Sequence, residues 1–169
     1  MNIYTGIGSR QTPPDVLRQM TRIAANLDLS GYLLRSGGAA GADSAFEAGV
    51  SEQDHMEIYL PWKGFNDNKS SHYGVSQAAL DMAALYHPAW NRCGSAARKF
   101  HARNCYQMLG ESLKGPSDFV LCWTPGGAVT GGTGQALRIA LDRQIPIFNL
   151  ADDNWDVGFD KLCNELDAS

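Results

Sequence analysis

The chain has 169 residues, 18 glycines and a net charge of −4; that length suits one domain with a full core, and the acidic balance argues against a broad duplex-DNA surface while leaving room for a local basic groove. No apolar run approaches the ~20 residues that span a membrane, and MNIYTGIGSR lacks a basic region followed by a long apolar stretch. Cys93, Cys105, Cys122 and Cys163 show no CxxC or zinc-type spacing, so a cytoplasmic protein with reduced thiols is expected.

Asn2 to Ile7 is a short apolar strand that runs into GIGSRQTPP. Thr12 suits an N-cap and Pro13 a first helical turn. Val16, Met20, Ile23, Ala24 and Leu27 then recur at helical spacing, to about Leu29. The loop between strand and helix holds Gly8, Ser9 and Arg10. Arg10 is either an exposed surface charge or a bidentate phosphate ligand, and its place after a strand favours the second.

Tyr32 to Arg35 is the second strand, and it ends in SGGAAGAD. Its Ser36, Gly37, Gly38, Gly41 and Asp43 form a second glycine-rich turn into a helix, from Ser44 to about Val50. The glycines fit GGxxG, not the GxGxxG dinucleotide fingerprint, and no acidic residue closes the next strand. Neither a nicotinamide nor any other cofactor is expected. Asp43 either caps the helix or accepts hydrogen bonds from ribose hydroxyls.

Met56 to Leu60 is the third strand. The long polar stretch after it carries Trp62 and Phe65, whose rings either stack on a base or pack back onto the domain. Val75 to Tyr86 is helical and ends at His87-Pro88. After a loop with Trp90 and Arg92, a helix from Ser95 to about Leu113 carries Arg98, Lys99, His101 and Arg103, the chain's only basic cluster. A solvated helix face is the ordinary meaning of such a cluster; here it directly precedes a strand that feeds a glycine loop, which favours an anion-facing Arg103.

That strand is Ser117 to Trp123. TPGGAVTGGTG follows, with five glycines in eleven residues, then a helix from Gln135 to Gln144 and a fifth apolar run, Ile145 to Leu150. Glycines here let backbone N–H groups approach an anion at a helix N-terminus, which makes Gly131, Gly132 and Thr133 a candidate phosphate cradle. Phe159 to Leu166 reads as a short terminal helix.

Five apolar strands alternating with helices predict an α/β fold: a doubly wound, Rossmann-like parallel sheet, with residues 1–169 as one domain. Three glycine-containing loops belong at the carboxyl edge of that sheet, where such folds bind ligands. A nucleotide or nucleotide-derived small molecule is the expected partner. His55, His72, His87 and His101 are scattered, and no metal-ligand cluster, carboxylate pair or Ser/His/Asp set is evident from spacing; no metal is expected.

GSR at Gly8 to Arg10, LRSGGAAGAD at Leu34 to Asp43, FHARN at Phe100 to Asn104 and GGTGQALRIA at Gly131 to Ala140 resemble the SLOG superfamily in order and placement. That superfamily joins the DprA/Smf DNA-processing proteins to the LOG cytokinin-activating enzymes, and the first two segments look closest to the DprA side. The resemblance adds Asn104 to the candidate ligand-binding residues. Compact proteins of this appearance are common among phage and prophage genes, and a homo-oligomer is expected. Nucleotide binding, for sensing or sequestration, is the leading function. A DprA-like role would bind single-stranded DNA through Arg92, Arg98, Lys99 and Arg103, with Trp62 or Trp90 stacking on bases. A LOG-like phosphoribohydrolase would use Arg103 and Asp43 as catalytic residues. Ala136 stands where that family places its catalytic Glu, and alanine cannot handle a proton.

Overall fold

The computed structural model describes residues 1–169. Five strands form one sheet: β1 (Ile3–Gly6), β2 (Leu33–Ser36), β3 (Met56–Ile58), β4 (Phe119–Cys122) and β5 (Ile147–Asn149). Every pairing is parallel and the order is β3-β2-β1-β4-β5. Six helices complete the fold: α1 (Pro14–Leu29), α2 (Ala42–Glu47), α3 (Gln77–Tyr86), α4 (Ser95–Leu109), α5 (Gly131–Asp142) and α6 (Trp155–Asp167). This is the Rossmann-like α/β architecture expected from the alternation of apolar runs. No helix is long and apolar enough to cross a membrane.

The two-residue side-chain period of a strand sorts the core into two layers. Tyr4, Leu34, Phe119 and Leu121 bury against Met20 and Ala24 of α1 and Phe46 of α2, and α6 packs Phe159 and Leu162 on the same layer. Val120 and Cys122 face the other way, toward Ala79 and Ala83 of α3, Met108 and Leu109 of α4, and Leu137 and Ile139 of α5. Both faces of β4 are therefore covered, and its four residues are all apolar and buried, as a central parallel strand requires. Phe119 is the hub of its layer, with ring centroids 5.8 Å from Tyr4, 5.9 Å from Tyr32 and 5.6 Å from Phe159. Burying a side chain of that size contributes about 1.5–3 kcal/mol.

Several boundaries differ from the sequence reading, each for a local reason. Thr12 does not cap α1. Pro13 occupies the cap position in an extended conformation, and the Thr12 hydroxyl donates instead to the Ser9 carbonyl at 2.6 Å, closing the β1–α1 loop on itself. Helix α4 stops at Leu109 rather than Leu113, because Gly110 has φ +70°. Helix α5 starts at Gly131 rather than Gln135, so the glycine run is the first helical turn and not a loop ahead of it.

The chain builds outward from β1 through β2 to β3, then crosses over to β4 and continues to β5. The loops leaving β1 and β4 therefore diverge to opposite faces from adjacent strands, which opens a crevice at their carboxyl ends.

Candidate functional site

A pocket of about 520 Å³ lies in that crevice. The β1 loop supplies Gly8, Ser9, Arg10 and Gln11; the start of α5 supplies Gly131, Gly132 and Thr133; α4 supplies Phe100, His101, Arg103, Asn104 and Gln107. The β1 loop is held in line with the sheet by the Ser9 N–H, which donates to the Trp123 carbonyl at 3.0 Å. It also closes tightly on α2: a Cβ at Gly8 would come 2.6 Å from the Ala42 Cβ.

Helix α5 enters the pocket uncapped. Thr130 sits at the cap position without a side-chain hydrogen bond, and the first N–H to find a helical carbonyl is that of Gly134, on Thr130 at 2.8 Å. The N–H groups of Gly131, Gly132 and Thr133 have no acceptor within the protein. Three such donors, at the positive end of a helix of twelve residues, are an anion-binding arrangement. Asn104 pins this turn to α4, donating to the Gly132 carbonyl at 3.3 Å and to Gln135 Oε1 at 3.1 Å.

Another part of the wall is aromatic. Phe65 and Phe100 line the pocket and pack with Trp62 in a trio, with edge-to-face contacts at centroid distances of 5.1 to 5.4 Å. Gln107 adds a polar group: its Nε2 is buried and finds no hydrogen-bond partner. Cavity, free amides, aromatic rings and an unpaired amide donor together suit a planar ring joined to an anionic group.

The basic helix behaves differently from its sequence appearance. Arg103 is buried, only 6% exposed. Its guanidinium donates to the carbonyls of Gly37 and Tyr59, and it lies 5.9 Å from the rings of Phe65 and Phe100. Arg98 instead stacks over Trp90 at 5.1 Å, while Lys99 and Arg92 are exposed. The expected patch of Arg92, Arg98, Lys99 and Arg103 is therefore not one surface, because the helix turns Arg103 inward. Trp90 is engaged by Arg98 and His87, and Trp62 joins the phenylalanine trio. The one exposed cation lining the pocket is Arg10.

Beneath the pocket, Arg103 meets two acids. Burial raises the Asp43 carboxyl, and the nearby Arg103 charge opposes that rise. Burial pushes Glu47 up to about 7; its Oε1 accepts from the Ser36 hydroxyl at 2.6 Å and from the Gly38 N–H at 3.0 Å. Burial also lowers the Arg103 guanidinium, against the pull of both acids. Asp43 lines the pocket together with Ala39 and Ala40. Ser36, Gly37, Gly38 and Gly41 do not. The first three are buried, with Ser36 and Gly38 bonded to Glu47 and Gly37 to Arg103, so this loop serves as a bed for the charges rather than a ligand-facing surface. Ala136 also lines the pocket, leaving Asp43 as its one carboxylate.

Sequence spacing missed a further cluster. His87, Cys93 and His101 offer one donor atom each within 4.8 Å of one another, and His101 belongs to the pocket wall as well. Burial first, and His87 second, push the His101 imidazole down to about 4. No two cysteines are bridged, and burial pushes Cys105 and Cys122 up to about 12, consistent with inert core thiols.

No protein-family model matches the chain, and no curated protein matches it. Among solved structures, the fold is similar to that of DNA processing protein A from Helicobacter pylori, solved for insight into its single-stranded DNA binding mode. The TM-score is 0.51 at 15% sequence identity, and the match covers 100% of this chain and 74% of the other. Five parallel strands in a Rossmann-like α/β fold, of the kind seen in DNA processing protein A, describe this chain.

Proposed function

We propose that this protein binds single-stranded DNA and seats one nucleotide of the strand in the pocket at the sheet's switch point. The observation that carries the reading is the pairing, in one cavity, of three acceptor-free amides on α5 with the Phe65 and Phe100 rings. The amides suit a phosphate and the rings suit a base; every base has a face that stacks, so such a site tolerates sequence. Arg10, exposed beside the cradle, adds a cation toward a backbone phosphate. The fold it shares with a protein described for binding single-stranded DNA supports the same reading.

A free nucleotide is the second reading. The net charge of −4 favours it, since a strand presents many phosphates to an acidic protein while a mononucleotide presents one group to the pocket. The cradle and the aromatic wall serve either ligand. For a phosphoribohydrolase, Asp43 is the pocket's available acid, and Arg103 is occupied by two carbonyls.

Anisotropy titration of a labelled oligothymidylate at low and moderate salt tests the first reading, with Gly132→Asp as the matched variant. A Cβ at Gly132 meets nothing within 4 Å, so the variant folds normally while placing a negative charge on the cradle. Salt-sensitive binding that Gly132→Asp abolishes is the expected result. No binding at low salt refutes the DNA reading. If a nucleoside monophosphate then raises the melting temperature of wild type and not of Gly132→Asp, the second reading stands; if none does, both fall.

A further inference from the structure

We propose that His87, Cys93 and His101 form a three-ligand site for a zinc-class divalent ion at the wall of the pocket. The three donors come from separate segments. His87 follows the last turn of α3, Cys93 follows a single helical turn at Trp90–Arg92, and His101 lies in the second turn of α4. The imidazole rings of His87 and His101 are 4.4 Å apart and tilted by 56°. Cys93 Sγ lies 3.8 Å from His87 Nδ1 and 3.7 Å from Nε2.

Cys93 Sγ, nearly equidistant from the two His87 nitrogens, lies over that ring's face, so the rings must turn to aim a nitrogen at a shared ion. Bonds of about 2.0–2.1 Å to nitrogen and 2.3 Å to sulfur set neighbouring donors roughly 3.3–3.6 Å apart. With all three donor atoms already within 4.8 Å, rotation of side chains closes the site without moving backbone. The segments are also pinned: Trp90 packs on His87 at 6.2 Å, and Arg98 covers the Trp90 ring and donates to its carbonyl at 3.3 Å.

The present partners of these donors are weak. His101 Nδ1 is buried with no hydrogen-bond partner within 3.5 Å, an unusual state for a ring nitrogen, with the Gln135 side chain as a polar neighbour of the ring. The Cys93 thiol has only the His87 ring and the Ala89 carbonyl, each 3.7 Å or more away. His87 Nδ1 accepts from the Ala89 N–H at 3.1 Å; ligation through Nδ1 exchanges that short-range bond for a metal bond. Two imidazoles and a thiolate select zinc, cobalt or copper over magnesium and calcium, which require oxygen. On binding, the Cys93 S–H bond breaks, its proton leaves to solvent, and the sulfur's electron pair forms the metal bond, with no change of oxidation state.

Three protein ligands leave a fourth position open. A divalent ion with one thiolate carries a net positive charge, so the fourth ligand is an anion or a polarised water. His101 is shared between this cluster and the pocket, which sets the ion at the pocket's wall.

The test uses the full chain, stripped with chelator and titrated with Co²⁺. One ion per chain, with the visible bands of tetrahedral cobalt and a thiolate-to-cobalt charge-transfer band, is the expected result. Zn²⁺ should displace it. Cys93→Ser should remove the charge-transfer band, and His87→Gln should weaken binding at least tenfold, with circular dichroism unchanged. Absence of stoichiometric Co²⁺ or Zn²⁺ binding overturns the proposal, as does a charge-transfer band that survives Cys93→Ser. If a variant fails to fold, X-ray absorption on the zinc-loaded wild type decides: a shell of one sulfur and two imidazole nitrogens upholds the site, and a shell without sulfur removes it. None of these readouts requires DNA or nucleotide, so they succeed or fail independently of the ligand reading.

Discussion

Replacing Glu47 with Gln removes a titration that weakens the folded protein as pH rises. Burial pushes this carboxyl from its ordinary 4.5 up to about 7, against the opposing hydrogen bonds from Ser36 and Gly38. A carboxyl whose folded pKa lies above its unfolded one holds its proton more tightly when folded. Its contribution is fully present below about 4.5 and is lost as pH rises to 7. At about 1.4 kcal/mol per pH unit, the loss between pH 5 and pH 8 comes to about 2–3 kcal/mol. For a chain of this size that is roughly 5–10 °C in melting temperature. The Gln amide oxygen can accept the same two bonds from Ser36 and Gly38 and carries no charge to bury. Thermal unfolding of both proteins at pH 5 and pH 8 isolates the effect, since every other group titrates in both. The variant should gain on wild type by those 5–10 °C on going to pH 8. A gap that stays constant, or moves the other way, would refute the burial argument.

Three further outcomes are expected. Phe100→Ala removes one ring of the aromatic trio and should weaken oligothymidylate binding about 5- to 150-fold, following the roughly 1–3 kcal/mol that stacking contributes per base; the same anisotropy titration reads it. Arg103→Met removes the guanidinium that donates to the buried Gly37 and Tyr59 carbonyls and should cost about 1–3 kcal/mol of stability, measured by denaturant unfolding. Asn149→Ala deletes the amide that donates to Thr124 Oγ1 at 2.7 Å and accepts from the N–H groups of Thr124 and Ala151. It should cost about 1–3 kcal/mol by leaving buried polar atoms unpaired, read by the same unfolding assay.

The architecture was legible because the strands are short, largely apolar runs, and three of them, β1, β2 and β4, lead into glycine-containing loops. The glycine-rich start of α5 was legible too, since Gly131, Gly132 and Thr133 stand next to one another in the chain, although they form the first helical turn and not a loop ahead of it. Arg103 was harder. In the sequence it belongs to a run of basic residues, and only the rotation of α4 against β2 and β3 decides that it points inward while Lys99 points out. Nor does the sequence show that Ser36 and Gly38 turn toward Glu47, since that depends on how α2 packs. The aromatic wall joins Trp62 and Phe65 to Phe100, more than thirty residues later, so no local pattern announces it. His87, Cys93 and His101 were hidden in the same way: their spacing matches no short ligand motif, and the fold of two helices and a turn brings them together.

The pocket divides its wall between two kinds of material, and the division bears on how such a protein diverges. The start of α5 offers main-chain N–H groups, whose chemistry survives any substitution that keeps the turn. Phe65, Ala97, Phe100 and His101 offer side chains, each replaceable in one step. On the proposed reading, selection can therefore rewrite what is recognised beyond the anion without disturbing the amides that would hold it. A library randomised at Phe65, Ala97 and Phe100 should yield descendants with new preferences for the attached ring and an unaltered dependence on Gly132.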